Sequence, residues 1–147
     1  MTVKIKVEHL IKIFGRHPQS VLKILNSGMT KDEILEKTGH TVGVWDVSFE
    51  VGEGEVFAIM GLSGSGKSTL IRCLNLLNKP TSGKIYVDGE NILEYSREQF
   101  SRFRKDKLAM VFQHFGLFTH RTVASNVEYG LEIKGVPKRE RRDKALE

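Results

Sequence analysis

The feature that most constrains this chain is the stretch Gly61-Leu62-Ser63-Gly64-Ser65-Gly66-Lys67-Ser68, in which Gly61 and Gly66 are separated by four residues and followed by Lys and Ser. Glycine reaches left-handed backbone conformations at no steric cost, so successive N–H groups can converge on the oxygens of one phosphate. A helix that starts where such a loop ends aims its positive N-terminus at the same point. In this pattern the lysine ammonium neutralises the β and γ phosphates, and the serine hydroxyl coordinates magnesium. The flanks agree with it. Val56 to Met60 is a continuous apolar run, the pattern of a strand buried on both faces, and helical spacing runs from about Lys67 to Leu77. Strand, glycine loop and helix in that order predict an α/β domain that binds a nucleotide with Mg2+.

Elsewhere the pattern is of short elements. Val3, Ile5 and Val7 alternate with Lys4, Lys6 and Glu8, as in a half-buried strand that runs toward Phe14. Pro18 suits a helix start, Gly28 a stop, and Thr30 with Glu33 three residues on is a capping box for a second helix ending near Gly39. Val42, Val44, Val47, Phe49 and Val51 mark another strand, closed by Gly52-Glu53-Gly54, so the N-terminal part is expected to be an antiparallel β ribbon. Lys84 to Val87 with Asp88-Gly89 reads as strand and turn. Ser96 with Gln99 opens a basic helix to about Lys105, and Leu108 to Phe112 is a second candidate for a buried strand. Helical spacing returns from Val123 to Ile133, and Pro137 opens a last helix.

Composition narrows the class. Hydrophobic residues make up 39% of the 147 and the mean hydropathy is −0.26, a globular balance. No apolar run nears the roughly 18 residues of a membrane helix, and MTVKIKVEHL lacks the apolar centre of a signal peptide. Cys73 is the single cysteine, so neither a disulfide within the chain nor a CxxC zinc site is available. The expected location is cytoplasmic. The net charge of +5 lies wholly in residues 97–147, where a solvated basic helix face explains it. Neither zinc-finger spacing nor an RNA-binding aromatic motif accompanies the charge, and nucleic acid is not an expected partner.

The loop GLSGSGKST, the run VFQ ending at Gln113, and the stretch HFGLFTHRTV resemble the ATP-binding subunit of ABC transporters. Within that family the chain most resembles importers of glycine betaine, proline and related quaternary amines, because of the long segment KIFG…GMTKDEILEKTGHTVGV between Phe14 and Val44. The resemblance covers residues 3 to 147 but only about the first 60% of the family's nucleotide-binding domain. It implies an incomplete P-loop NTPase of ABC type: an antiparallel region over about 3–55 and 84–90, a P-loop core over about 56–78, and a Q-loop strand with following helices over about 106–147. It implies that Phe14 stacks on adenine and that Gly61, Ser63, Gly64, Ser65, Gly66 and Lys67 cradle the phosphates. Thr69 would contact the α-phosphate, while Ser68 and Gln113 reach magnesium. It also implies a membrane-spanning transporter subunit and a second nucleotide-binding subunit as partners, on the inner face of the membrane.

Further expectations follow from the same resemblance. Thr119 stands where the family usually has Pro, and losing the proline should loosen that loop. Residues Phe112 to Val123, with exposed Phe115 and Phe118 beside His120 and Arg121, are expected to meet the membrane subunit. The LSGGQ-type segment, the aspartate and glutamate of the next buried strand and the switch histidine do not occur in these 147 residues. Binding without hydrolysis is therefore expected of this chain, with no complete set of catalytic residues. A P-loop kinase or GTPase would pair the loop with other motifs, and Asn78-Lys79-Pro80-Thr81 is not a guanine-binding run. A non-enzymatic product that pairs with intact subunits is the remaining alternative. His9, His17, His40, His114 and His120 read as surface or loop residues.

Overall fold

The computed structural model describes residues 2–25, 27–112 and 116–146, which divide into two units, 1–96 and 97–147. The first unit is built on a four-stranded antiparallel sheet in the order β2-β1-β3-β4. Its strands are β1 (Val3–Phe14), β2 (Thr41–Gly52), β3 (Ser82–Val87) and the short β4 (Glu90–Asn91). β1 pairs with β2 on one side and β3 on the other. It is therefore the central strand, and Val7, Leu10 and Ile13 along it are buried with Ile85 of β3 and Val42, Val44 and Val51 of β2.

Those three buried residues of β1 lie three apart, not two, because the pairing slips between them. His9 takes φ 47° and Asp46 on β2 takes φ 49°, and the two side chains meet, Nδ1 to Oδ1, at 2.7 Å. A bulge that adds a residue turns the next side chain to the other face. Leu10 is thereby turned inward.

The chain between β1 and β2 forms a 3-10 turn (Pro18–Val21), α1 (Leu22–Leu25) and α2 (Lys31–Thr38). The capping box is present as the sequence predicts. Thr30 Oγ1 accepts from the Glu33 N–H at 3.3 Å, and Glu33 Oε2 accepts from the Thr30 N–H at 2.7 Å. That backbone donor holds the Glu33 carboxyl below its usual range. Gly39, at φ 69°, ends the helix in a left-handed cap. Val21, Leu25 and Ile34 pack with Ile13 and Val42 into one apolar cluster, which fixes the insertion to the end of the sheet that carries Phe14.

Two expected strands are not formed. Residues 56–60 belong to no strand of the sheet, and Val56 and Met60 are 95% and 89% exposed; Phe57 stacks on Phe49 at 4.9 Å. Residues 108–112 are likewise no strand, and Val111 is 96% exposed. A continuous apolar run states what a segment needs to be covered by, and a strand exists only where a ladder partner is in place. The sheet among the described residues is wholly antiparallel and offers neither segment a place. The helix after the glycine loop, α3, covers Lys67–Leu74 and so ends three residues earlier than its spacing suggests.

The second unit contains α4 (Arg97–Asp106), α5 (Val123–Val127), α6 (Tyr129–Ile133) and α7 (Lys138–Lys144). The segment around Thr119 is closed by hydrogen bonds. Arg121 N–H donates to Phe118 O at 3.0 Å, closing a turn over Phe118 to Arg121. The Asn126 side chain then accepts from Phe118 N–H at 2.7 Å and donates to the carbonyls of Phe118, Arg121 and Thr122. One amide thus ties the two ends of the turn together. Phe118 is not an exposed anchor. It packs edge-on against Tyr129 with centroids 4.6 Å apart, and the Arg121 guanidinium lies over both rings. Phe115 lies outside the described residues.

Thr119 occupies the second position of that turn, where the fixed φ of proline suits types I and II. Thr119→Pro is therefore expected to stabilise the chain by about 0.4 to 1 kcal/mol through the unfolded state. The urea midpoint checks this, and a lower midpoint would show that the turn cannot accept the ring.

Candidate functional site: the glycine loop and its neighbours

The loop folds around its own lysine. Lys67 Nζ donates to the carbonyl oxygens of Gly61 at 2.8 Å and Leu62 at 2.7 Å, and Ser65 N–H donates back to Leu62 O at 3.2 Å. An ammonium has three protons, so this arrangement commits two and leaves one for a ligand. Gly64 at φ 78° and Gly66 at φ 103° hold the left-handed steps that carry the chain into α3. Helix bonding begins at once, with Leu70 N–H donating to Gly66 O at 2.8 Å. The amides ahead of that bond are the ones a helix leaves for an anion. Ser63, Gly64, Ser65 and Ser68 are exposed, while Leu70 and Cys73 are buried and anchor α3 beneath them.

Gly43 brings Phe14 to this loop. A Cβ on Gly43 would lie 2.8 Å from Cε2 of the Phe14 ring and 3.0 Å from Cγ2 of Thr69. A Cβ on Gly66 would in turn overlap the Gly43 carbonyl oxygen. Bare backbone of β2 is thus wedged between the aromatic ring and the first turn of α3, a close approach that only glycine allows. Phe14 is no core residue. It is 38% exposed, with the Lys12 ammonium 4.9 Å from its ring centroid. The turn after α3 is pinned beside it, where Thr81 Oγ1 accepts from Ile13 N–H at 2.9 Å and Gln19 Nε2 donates to Thr81 O at 2.7 Å.

The structure therefore brings Phe14, the loop from Gly61 to Gly66, Lys67, Ser68 and Thr69 together. Gln113 lies outside the described residues, as does His114. Sequence reasoning missed Gly43, although an isolated glycine inside a strand pattern is itself a sign of close backbone approach. It read His40 only as a surface or loop residue, whereas His40 is half-buried and has a backbone carbonyl oxygen within hydrogen-bond distance of each ring nitrogen.

Comparison with known proteins agrees with this geometry. The family model for ABC transporters matches residues 44–147. The chain belongs to the ABC transporter family. As a member of it, the chain is 56% identical over 145 residues to the glycine betaine transport ATP-binding protein OpuAA of Bacillus subtilis, covering 99% of this chain and 35% of that protein. It is 49% identical over 147 residues to the glycine betaine/proline betaine transport system ATP-binding protein ProV of Salmonella typhimurium, covering 100% of this chain and 37% of that protein. The chain thus spans little more than a third of the length of these curated relatives. Among solved structures, the ATP-binding cassette MJ0796, in a dimeric post-hydrolysis state bound to ADP and Pi, superposes with a TM-score of 0.75 at 30% identity. That match covers 97% of this chain and 54% of the cassette. The fold is that of the ABC ATPases, with its antiparallel part formed among the described residues. No helix among the described residues is long and apolar enough to cross a membrane.

Proposed function

We propose that this chain binds Mg-ATP, and that it does so as part of an ATP-binding subunit driving import of a quaternary amine such as glycine betaine or proline betaine. The observation that carries the reading is the lysine-centred loop, with Lys67 Nζ held at 2.7 and 2.8 Å from two loop carbonyls at the start of α3. The donor set suits a nucleotide triphosphate with a hard cation. Lys67 offers a point charge to the β and γ phosphates, the glycine-bearing loop offers backbone N–H groups, and Ser68 offers a neutral oxygen to magnesium. When bound, Mg2+ neutralises and orients phosphate oxygens. Thr69 takes the α-phosphate side, and Phe14 takes the adenine face. Gln113 is assigned a magnesium contact by family resemblance alone.

The amine substrate is proposed because OpuAA and ProV carry it in their names and match essentially the whole of this chain. ATP hydrolysis coupled to transport belongs to the longer protein in the same proposal. So do a membrane-spanning partner, a second nucleotide-binding subunit, and a peripheral place on the inner face of the membrane.

Stacking on Phe14 involves no base-specific hydrogen bond, so it does not select among purines. Removing one aromatic platform costs roughly 1 to 3 kcal/mol, or about 5- to 150-fold in affinity. Phe14→Ala is expected to weaken ATP and GTP alike by that amount, and Phe14→Tyr to change little. Equilibrium titration with both nucleotides tests it, and an alanine variant with wild-type affinity would remove Phe14 from the site.

A further inference from the structure

Phe14 ends β1, and the backbone just beyond it must turn away without carrying the ring off the glycine loop. What holds that turn is His40. Its Nε2 lies 2.6 Å from the carbonyl oxygen of Arg16, and its Nδ1 lies 2.8 Å from the carbonyl oxygen of Thr38 at the end of α2. Carbonyl oxygens only accept, so a neutral imidazole, with its one N–H, donates to one of the two, and the imidazolium donates to both. The backbone N–H of His40 adds a bond to Thr38 Oγ1 at 3.3 Å. The ring lies so close over Gly15, which sits at φ 139°, that a Cβ there would overlap His40 Cδ2. One imidazole is therefore lodged between the segment after Phe14, the C-terminal end of α2 and the entry to β2. His40 immediately precedes Thr41, the residue paired with Phe14 across the sheet.

The line of packing continues from there to the glycine loop. His40 covers Gly15 and holds Arg16, Phe14 precedes them, its ring lies on Gly43, and Gly43 touches Gly66 and Thr69. The interactions with Thr38, Gly15 and Arg16 account for where the ring of His40 lies, and none of them reaches the loop that would hold phosphate. His40 is thus placed to act on the base end of a nucleotide and not on its phosphate end.

We propose that His40 is a positioning residue for the nucleotide base: it fixes the Gly15–Arg16 turn and so keeps the Phe14 ring against Gly43, where it can stack. This rests on the reading of Phe14 as the base platform. Removing His40 frees Phe14 to leave that place, which weakens any ligand that stacks on it and leaves a ligand without a base unaffected. Gly15 follows the same logic, because a methyl group there displaces the imidazole.

The test uses the 147-residue chain and two probes with magnesium, ATP and inorganic tripolyphosphate, titrated against wild type, His40→Ala, Phe14→Ala and the double variant. His40→Ala is expected to lose roughly three- to tenfold in ATP affinity and to keep its tripolyphosphate affinity. The double variant is expected to bind ATP no more weakly than Phe14→Ala alone, since His40 acts only through that ring. Gly15→Ala should show the same ATP-selective loss, and it decides the matter if His40→Ala does not fold. Equal losses for both probes, additive losses in the double variant, or unchanged ATP affinity would overturn the proposal while leaving nucleotide binding intact. A wild-type chain that binds neither probe would overturn the nucleotide reading itself, and this inference with it.

Discussion

With magnesium and ATP at a hundred times the dissociation constant, the wild-type chain is expected to melt on the order of 10 °C higher than without ligand, and Lys67→Ala to show almost no shift. A ligand that binds only the folded form adds about 2.7 kcal/mol at that ratio. In a chain of this size each kcal/mol moves the melting point by about 4 °C. The lysine is singled out because its ammonium lies where the loop carbonyls of Gly61 and Leu62 converge, with one proton uncommitted. Truncating it removes the charge that would meet the phosphates and also the tie that keeps the loop closed. The loop is exposed, so the unliganded melt of Lys67→Ala should stay within about 0.5 kcal/mol of wild type. Equal nucleotide shifts in the two proteins would mean that ATP binds elsewhere.

What could be read in the sequence was what local chemistry decides. Thr30 and Glu33 need only each other and one helix start, and the box they predict is formed. The glycine loop is equally local: the left-handed angles at Gly64 and Gly66 follow from the absence of a side chain. The run from Val56 to Met60 is the opposite case. Its pattern says the segment is built to be covered, but covering depends on distant strands, and in this unit the segment lies exposed. The bulge at His9 and Asp46 was legible in principle, because the apolar alternation of β2 changes phase between Val44 and Val47. His40 was not legible. A histidine after a helix-ending glycine looks like any loop residue until Gly15 and Arg16, more than twenty residues earlier, are brought beside it by strand pairing. At Phe118 the composition suggested an exposed anchor, and its contact with Tyr129, eleven residues on, is a tertiary one that composition does not show.

The largest effect on stability is expected at Ile34. An eight-residue helix such as α2 is too short to persist alone, so it must be held by its cap and by whatever face it buries. Ile34 is the only buried residue of that helix, at 0% exposure, and it packs with Ile13, Val21, Leu25 and Val42. Ile34→Ala removes three carbons from that cluster, and such truncations cost about 2 to 5 kcal/mol once the cavity is included. With a slope of about 2 kcal/mol per molar urea, the midpoint should fall by about 1 to 2.5 M. Leu35 is the control, since it is the next residue of the same helix, the same size, and 46% exposed. Leu35→Ala should cost well under 1 kcal/mol. The consequence extends to the site, because α2 ends at Thr38, whose carbonyl holds His40. Ile34→Ala is therefore expected to weaken ATP binding more than tripolyphosphate binding under conditions where the chain is still folded. If Ile34→Ala and Leu35→Ala proved equally mild, the insertion would not be anchored through this cluster, and the placement of Phe14 would have to come from β1 and Gly43 alone.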